Sequence, residues 1–367
     1  MYTEVVRAVS TKRLTRLQHL MEANDLSALM LFENDYVAYK LSLTQHFNIV
    51  LITPSDVCVI ADTALYYEAQ RESPWYVIAV ENFTLDELAK RILSLLPEDS
   101  SKTRLGVNKS WGRNKLSFLY RDLLDILRSK GVETVDATHI LTEVFDKPYE
   151  DELVIIKWIS KVASRALEAV YDGLKPGMRE YEVAAIIDKV LDENGIVDRW
   201  FSTIVASGSR AASPHAKTSS RKIGYGDPVI IDMGPVWMGY DGCIAHTFIV
   251  GQSQYWKDIV EKVSHALSRG LEEAKPGTPV RVLDEIPRKE LRKGGLPDYP
   301  HLSGHPIGGF YKPVIADFVN YKLESNMVFA YEPAVYIHSK GGVRIEPHVL
   351  ITSSGNEILT EFHRKIL

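Results

Sequence analysis

The residues with the clearest chemical potential lie in the C-terminal half of this 367-residue chain. The stretch 229–251, VIIDMGPVWMGYDGCIAHTFIVG, delivers Asp232 at the end of a β-branched run. A carboxylate in that setting needs a metal, a cation or hydrogen-bond donors to stay ionised. The Met-Gly-Pro that follows suits a turn-forming Asp equally well. The chain then returns through Tyr240, Asp241 and Cys243. Regular pairing would put Asp241, Cys243 and Ala245 on one face, where Cys243 is either a small buried hydrophobe or a ligand. His305 sits in the loop HLSGHPIGG, with His301 four residues earlier. Glu332 lies in the apolar strand VFAYEPAVYI and Glu346 in GVRIEPHVLI, with a hairpin turn expected at 338–342 between them. Arg344 shares a face with Glu346. A structural Glu–Arg ion pair would account for either Glu alone; two Glu-Pro strands in succession are a more specific pattern. An Asp, a His and two Glu on separate strands and loops form a ligand set for hard or borderline divalent ions.

The rest of the chain must position these groups. A length of 367 residues points to two domains, expected at 1–145 and 146–367. The formal net charge of −5 provides no basic footprint for nucleic acid. The N-terminus lacks a signal-peptide pattern, and no apolar run approaches the roughly 20 residues that cross a bilayer. The expected setting is therefore the cytoplasm, without membrane or nucleic-acid partners. Two cysteines, Cys58 and Cys243, make no disulfide framework.

In the N-terminal third, Leu14, Leu17, Leu20 and Met21 form one face of a helix over 11–24. Strands are expected at 28–32, 49–52, 57–60, 76–80 and 104–107, with helices at 84–96 and about 114–129, which makes a layered α/β sheet. No Gly-rich phosphate loop follows these strands. The polar segment 136–152, with Pro148, reads as a linker. Farther on, ALEAVYDGLKPG (166–177) and ALSRGLEEAKPG (266–277) repeat a helix ending in Lys-Pro-Gly. The helix after the first turn is periodic over 180–191; Pro287 is expected to interrupt its counterpart at 281–293. Two related halves follow from this repeat.

The region from about 150 onward resembles the pita-bread metallopeptidases, namely prolidases (Xaa-Pro dipeptidases), aminopeptidase P and methionine aminopeptidase, with creatinase as a non-peptidase relative. The N-terminal region is similar to that of the prolidase, aminopeptidase P and creatinase branch. The resemblance implies an N-terminal α/β domain and a C-terminal domain with a pseudo-two-fold, curved antiparallel sheet. It also implies a homodimer, and a site in which two Asp eleven positions apart, a His and two Glu hold two divalent ions. Asp232, His305, Glu332 and Glu346 match that set in order. His215, in SGSRAASPHA, and His301 match substrate-contacting histidines, and Arg344 matches an Arg two residues before the last Glu.

The chain departs from the pattern at several places. Cys243 stands where the second, bridging Asp is expected, with Asp241 as a nearby surrogate. His246 replaces an Arg, Gly-His-Gly has become Gly304-His305-Pro306, Glu-Pro-Gly has become Glu332-Pro333-Ala334, and Lys312 stands in place of a histidine. A thiolate favours softer ions than a carboxylate does. The expected cofactor is one or two divalent ions (Mn, Co, Zn or Fe), with occupancy reduced or lost at the altered bridge. The implied activity is hydrolysis of X-Pro bonds in dipeptides or short peptides. Glu332 would relay a proton, while His215, His301 and Arg344 would stabilise the oxyanion or hold the substrate carboxylate. Two alternatives stay open: a creatinase-like, metal-independent hydrolase of another small C–N bond, and a silent peptide-binding homologue.

Overall fold

A computed structural model describes residues 2–33, 35–97, 103–108 and 118–365. The chain divides into two compact units, Met1–Asp146 and Lys147–Leu367. The first is built on a six-stranded mixed sheet in the order Tyr76–Val80, Val57–Asp62, Ile49–Ile52, Ala28–Phe32, Arg104–Val107, Glu133–Asp136. Its three central strands run antiparallel and the outer ones join in parallel. The first helix spans Tyr2–Ala23 rather than starting near 11, because Val6 and Val9 extend the buried face of Leu14, Leu17 and Met21. The helix expected at 114–129 is present as Phe118–Ser129; residues 114–117 lie outside the described residues. The expected linker is largely helical. Thr138–Val144 forms a helix whose Ile140, Leu141 and Val144 are buried, and polar side chains cover its other face. A linker reading from polarity overlooked that one-sided pattern.

The second unit is duplicated. Helices Leu153–Gly173 and Glu180–Glu193 precede strands Ile204–Ser207 and Pro228–Met233. Helices Gln254–Glu272 and Val280–Lys293 precede strands Gly304–Pro306 and Val328–Tyr331. Isolated bridges join Arg179 to Lys222 and Pro279 to Lys322; a shift of 100 positions carries one pair onto the other. At the two Lys-Pro-Gly turns, Gly177 and Gly277 have φ of 93° and 88°, and their N–H groups donate to Ile223 and Leu323. Only glycine holds that conformation without strain.

Each half ends in an antiparallel hairpin bent in both arms. In the first, Pro228–Met233 continues as Pro235–Trp237, and Tyr240–Asp241 returns as Ile244–Ile249. In the second, Val328–Tyr331 continues as Ala334–Ile337, and Gly341–Arg344 returns as His348–Ile351. Inner and outer segments of each hairpin belong to different sheets. Pro235, Pro333 and Pro347 stand at three of the four bends, and none has the N–H that would continue a ladder. Asp232, Cys243, Glu332 and Glu346 all lie at or beside a bend. A two-way bridge between Ala245 and Glu346 ties the hairpins together.

Pro287 does not break its helix; Val280–Lys293 is continuous. A proline there leaves the carbonyl four residues earlier without its helical donor. That carbonyl is Leu283 O, and the buried Tyr331 hydroxyl donates to it at 2.7 Å. Tyr331 reaches it by passing Gly270, where an added Cβ would lie 1.9 Å from Tyr331 Oη. Tyr331→Phe should therefore cost about 1–3 kcal/mol by stranding a buried carbonyl. The cost should shrink in a Pro287→Ala background, where residue 287 regains an N–H. Urea unfolding of the four proteins measures this, and equal costs in both backgrounds would break the link.

Candidate metal and catalytic site

Asp232 is paired on both sides, with Ile204 and with Ala245, so its side chain is held at the centre of a three-stranded sheet. Arg344 Nη2 donates to Asp232 Oδ2 in a short contact, and Cys243 Sγ lies 3.8 Å from Oδ1. Arg344 is itself buried; its Nη1 reaches Pro214 O and Tyr336 Oη, each at 3.3 Å. Its Nε has no hydrogen-bond partner and lies 3.7 Å from Glu346 Oε2. Glu346 is fully buried, and neither carboxylate oxygen meets a donor. His305 lies against it, with Nε2 3.7 Å from Glu346 Oε1. His305 Nδ1 donates to Pro306 O at 3.0 Å, which leaves the Nε2 lone pair directed at Glu346.

Glu332 and His301 form the adjoining part, with 3.6 Å between Glu332 Oε2 and His301 Nδ1. His301 Nδ1 donates to Leu302 O at 2.7 Å, so its Nε2 accepts from the Tyr336 hydroxyl at 3.0 Å. Burial, aided by nearby Arg344 and Arg288, pulls the His301 pKa down to about 4. His301 is therefore a neutral acceptor. The exposed His215 follows Pro214, and its charge acts on Asp232.

The electrostatics are dominated by burial of like charges. Burial pushes the Glu332 carboxyl up to about 8; Arg344 opposes this and Asp232 adds to it. Glu346 is pushed well above the carboxylate range, first by burial and then by Glu332 and Asp232. Burial, with Glu346 and Asp232 behind it, also pushes up the Cys243 thiol. These are groups whose charged forms lack a sufficient counter-charge within the fold.

Among the described residues one group of three potential ligands assembles: Cys243, His305 and Glu346, with ligand atoms within 4.8 Å of one another. Asp241 is not in it. Its strand segment ends at 241, in a different sheet from Ile244–Ile249, so strand alternation does not carry across the bend. Its carboxylate instead accepts from the Gly309 N–H at 2.5 Å. His246 pairs with Ile231 and lies among Phe248, Phe362 and His363, away from the cluster. Lys312 lies over the Tyr321 ring at 5.4 Å.

Sequence reasoning missed two contributors. Tyr336 links Arg344 to His301. His348 Nε2 accepts the Cys243 N–H at 3.1 Å, and its Nδ1 meets Ser160 Oγ at 2.7 Å. Gly242 permits this approach, since a Cβ there would lie 2.8 Å from His348 Cε1. The Pro347-His348 step after Glu346 was the available signal. A cavity of about 610 Å³ is lined by Asp188, Arg199, Trp200 and Thr203 and by none of the cluster residues; Trp200 also packs edge-on against His305, with ring centroids 5.3 Å apart.

Metallopeptidase family M24 matches residues 155–353, and the creatinase/prolidase N-terminal domain matches residues 13–144. An Xaa-Pro dipeptidase of Pyrococcus furiosus is 37% identical over 222 residues, covering 59% of this chain and 64% of that protein. That match spans a little under two thirds of the relative's length. An Xaa-Pro dipeptidase of Pyrococcus horikoshii is 29% identical over 365 residues, covering 98% and 99% of the two chains. The solved prolidase from Pyrococcus furiosus superimposes with a TM-score of 0.80 at 28% identity, covering 94% of this chain and 98% of its own.

The buried carboxyls set a sign for stability against pH. The folded state holds the Glu332 proton up to about pH 8, whereas the ordinary value is 4.5. Glu346 is shifted in the same direction. The unfolded chain loses these protons first, so rising pH favours unfolding across that window. In chelator, wild-type stability should fall between pH 5 and 8, and the fall should be shallower in Glu346→Gln. Denaturant midpoints across that range measure it; an unchanged slope in Glu346→Gln would show that Glu346 is ionised in the metal-free fold.

Proposed function

From the premise that the chain belongs to metallopeptidase family M24, we propose that it hydrolyses X-Pro bonds in dipeptides or short peptides. The observation that carries this reading is the single buried cluster of Asp232, His301, His305, Glu332, Arg344 and Glu346, in which Glu346 has two oxygens and no donor. Orphaned buried carboxylate oxygens fit a divalent cation, for which Asp232, Cys243, His305, Glu332 and Glu346 are the candidate ligands. A divalent ion bound there supplies Lewis-acid polarisation and lowers the pKa of water.

The chain's own residues take the remaining roles. Glu332, whose carboxyl burial pushes up to about 8, is placed to accept and return a proton, including to the departing prolyl nitrogen. That nitrogen comes from a tertiary amide with no N–H of its own. Arg344 acts as a fixed cation that holds Asp232 and, through Tyr336, orients His301. His215, exposed on its loop, is the group assigned to the substrate carboxylate. We further propose a homodimer, on family likeness, and a cytoplasmic setting, on the sequence pattern of the N-terminal region. Among the described residues no helix is long and apolar enough to cross a membrane. Cys243 at the bridging position favours one competing reading, a silent peptide binder.

Hydrolysis of Ala-Pro with manganese, cobalt or zinc added to chelator-treated protein tests the proposal. Glu332→Gln should lower kcat about 10²–10⁴-fold. His215→Ala should act mainly on KM, by roughly tenfold, as expected for a group that binds without reacting. Folded, metal-loaded protein that leaves Ala-Pro and longer X-Pro peptides intact would favour the silent binder.

A further inference from the structure

The donor set at the cluster fits one divalent ion better than the pair of hard ions that an all-carboxylate bridge would hold. We infer that this chain builds a single-ion centre ligated by the Cys243 thiolate, His305 Nε2 and Glu346, and that it takes a borderline ion such as zinc or cobalt in preference to manganese. The inference rests on the preceding reading only in that the cluster holds a divalent ion; it requires no particular substrate.

Three observations carry it. First, Cys243, His305 and Glu346 form the one three-residue group of convergent ligand atoms among the described residues. Second, Glu346 is buried with neither oxygen hydrogen-bonded, and its Oε1 faces His305 Nε2 at 3.7 Å. Third, Asp232 is already engaged by Arg344, whose Nε also lies 3.7 Å from Glu346. The guanidinium thus already engages one oxygen of Asp232.

Ligand chemistry points the same way. A thiolate and an imidazole select zinc or cobalt, whereas manganese prefers carboxylate and water. A bridging carboxylate offers one oxygen to each of two ions; a thiolate offers a single, larger sulfur. The surroundings orient the donors as a metal site requires. His305 is fixed by its Nδ1 bond to Pro306 O, and the Cys243 backbone is fixed by His348. Side-chain exposure of 18% at His305 and 13% at Glu332 leaves an approach for water or substrate to a fourth position. On ligation the Cys243 thiol loses its proton to solvent and the sulfur lone pair forms the bond to the ion.

Titration of chelator-treated, full-length protein with cobalt, followed by absorption and elemental analysis, tests this. Saturation is expected at one cobalt per chain, with a thiolate-to-cobalt charge-transfer band in the near ultraviolet. Zinc at one equivalent should displace the cobalt, and manganese at roughly 100-fold excess should not. Cys243→Ser should lose the band and weaken cobalt binding by at least about tenfold, with its circular dichroism in chelator unchanged. Should that variant fail to fold, Cys243→Asp replaces it; it should lose the band and gain manganese affinity. Two equivalents bound by wild type, one cobalt without the thiolate band, or no ion bound by folded protein would each overturn the inference. Ala-Pro hydrolysis on the same samples separates the two proposals. A cobalt–thiolate centre without turnover removes the peptidase reading alone, and turnover with two manganese ions and no band removes only the single-ion centre.

Discussion

Three carboxyl groups and a thiol share one buried guanidinium, and much of the C-terminal unit is arranged around that imbalance. Asp232 lies near the end of a strand, and Cys243, Glu332 and Glu346 lie at three separate bends, yet Arg344 influences all four. Hydrophobic burial of the surrounding strands supplies the stability that tolerates this; Val229, Ile231, Phe329, Ala330, Val343 and Ile345 are all within 1% of complete burial. A buried, under-neutralised cluster is poor design for stability and good design for capturing a cation.

The bent hairpins are how a β-structure places carboxylates in such a position. Along a straight strand, side chains alternate between two faces. A bend lets a side chain leave one sheet where the next begins, so that it projects into the space between them. Duplication produces two such hairpins, and the Ala245–Glu346 bridge sets them against each other. Packing then holds the bends in place. Tyr331, one residue before Glu332, is anchored through Leu283 to the proline-containing helix. His348, two residues after Glu346, is anchored to Ser160 on the helix Leu153–Gly173. The elements nearest the chemistry are thus fixed by polar bonds inside an otherwise apolar core, which specify position more sharply than apolar contact does.

The departures from the metallopeptidase pattern have unequal weight once placed in space. His246 is remote from the cluster and is held neutral by burial, its pKa pulled down to about 3. Lys312 is turned over a tyrosine ring. Cys243 lies at the centre, in contact with Asp232 and within ligand distance of His305 and Glu346. One substitution therefore carries the chemical difference, and it changes the softness of the donor set.

Local sequence determined a good deal of this. Period-two and helical patterns located strands such as 28–32, 49–52, 76–80 and 104–107, because alternation and apolar runs are properties of adjacent residues. The Lys-Pro-Gly repeat revealed the duplication, and ordered motifs nominated Asp232, His305, Glu332 and Glu346. Context decided the rest. Whether Pro287 ends a helix depends on a hydroxyl from Tyr331, 44 positions away, meeting the freed carbonyl. Whether Asp241 can stand in for Asp depends on which sheet its strand segment joins, and on Gly309 claiming its carboxylate. That Arg344 grips Asp232, that Tyr336 holds His301 and that His348 fixes Cys243 are contacts across 112, 35 and 105 positions. Residue type and spacing can propose ligands, but distance, tautomer and counter-charge arise only when separate strands are brought together, because Coulombic and hydrogen-bond energies depend on geometry that no local pattern encodes.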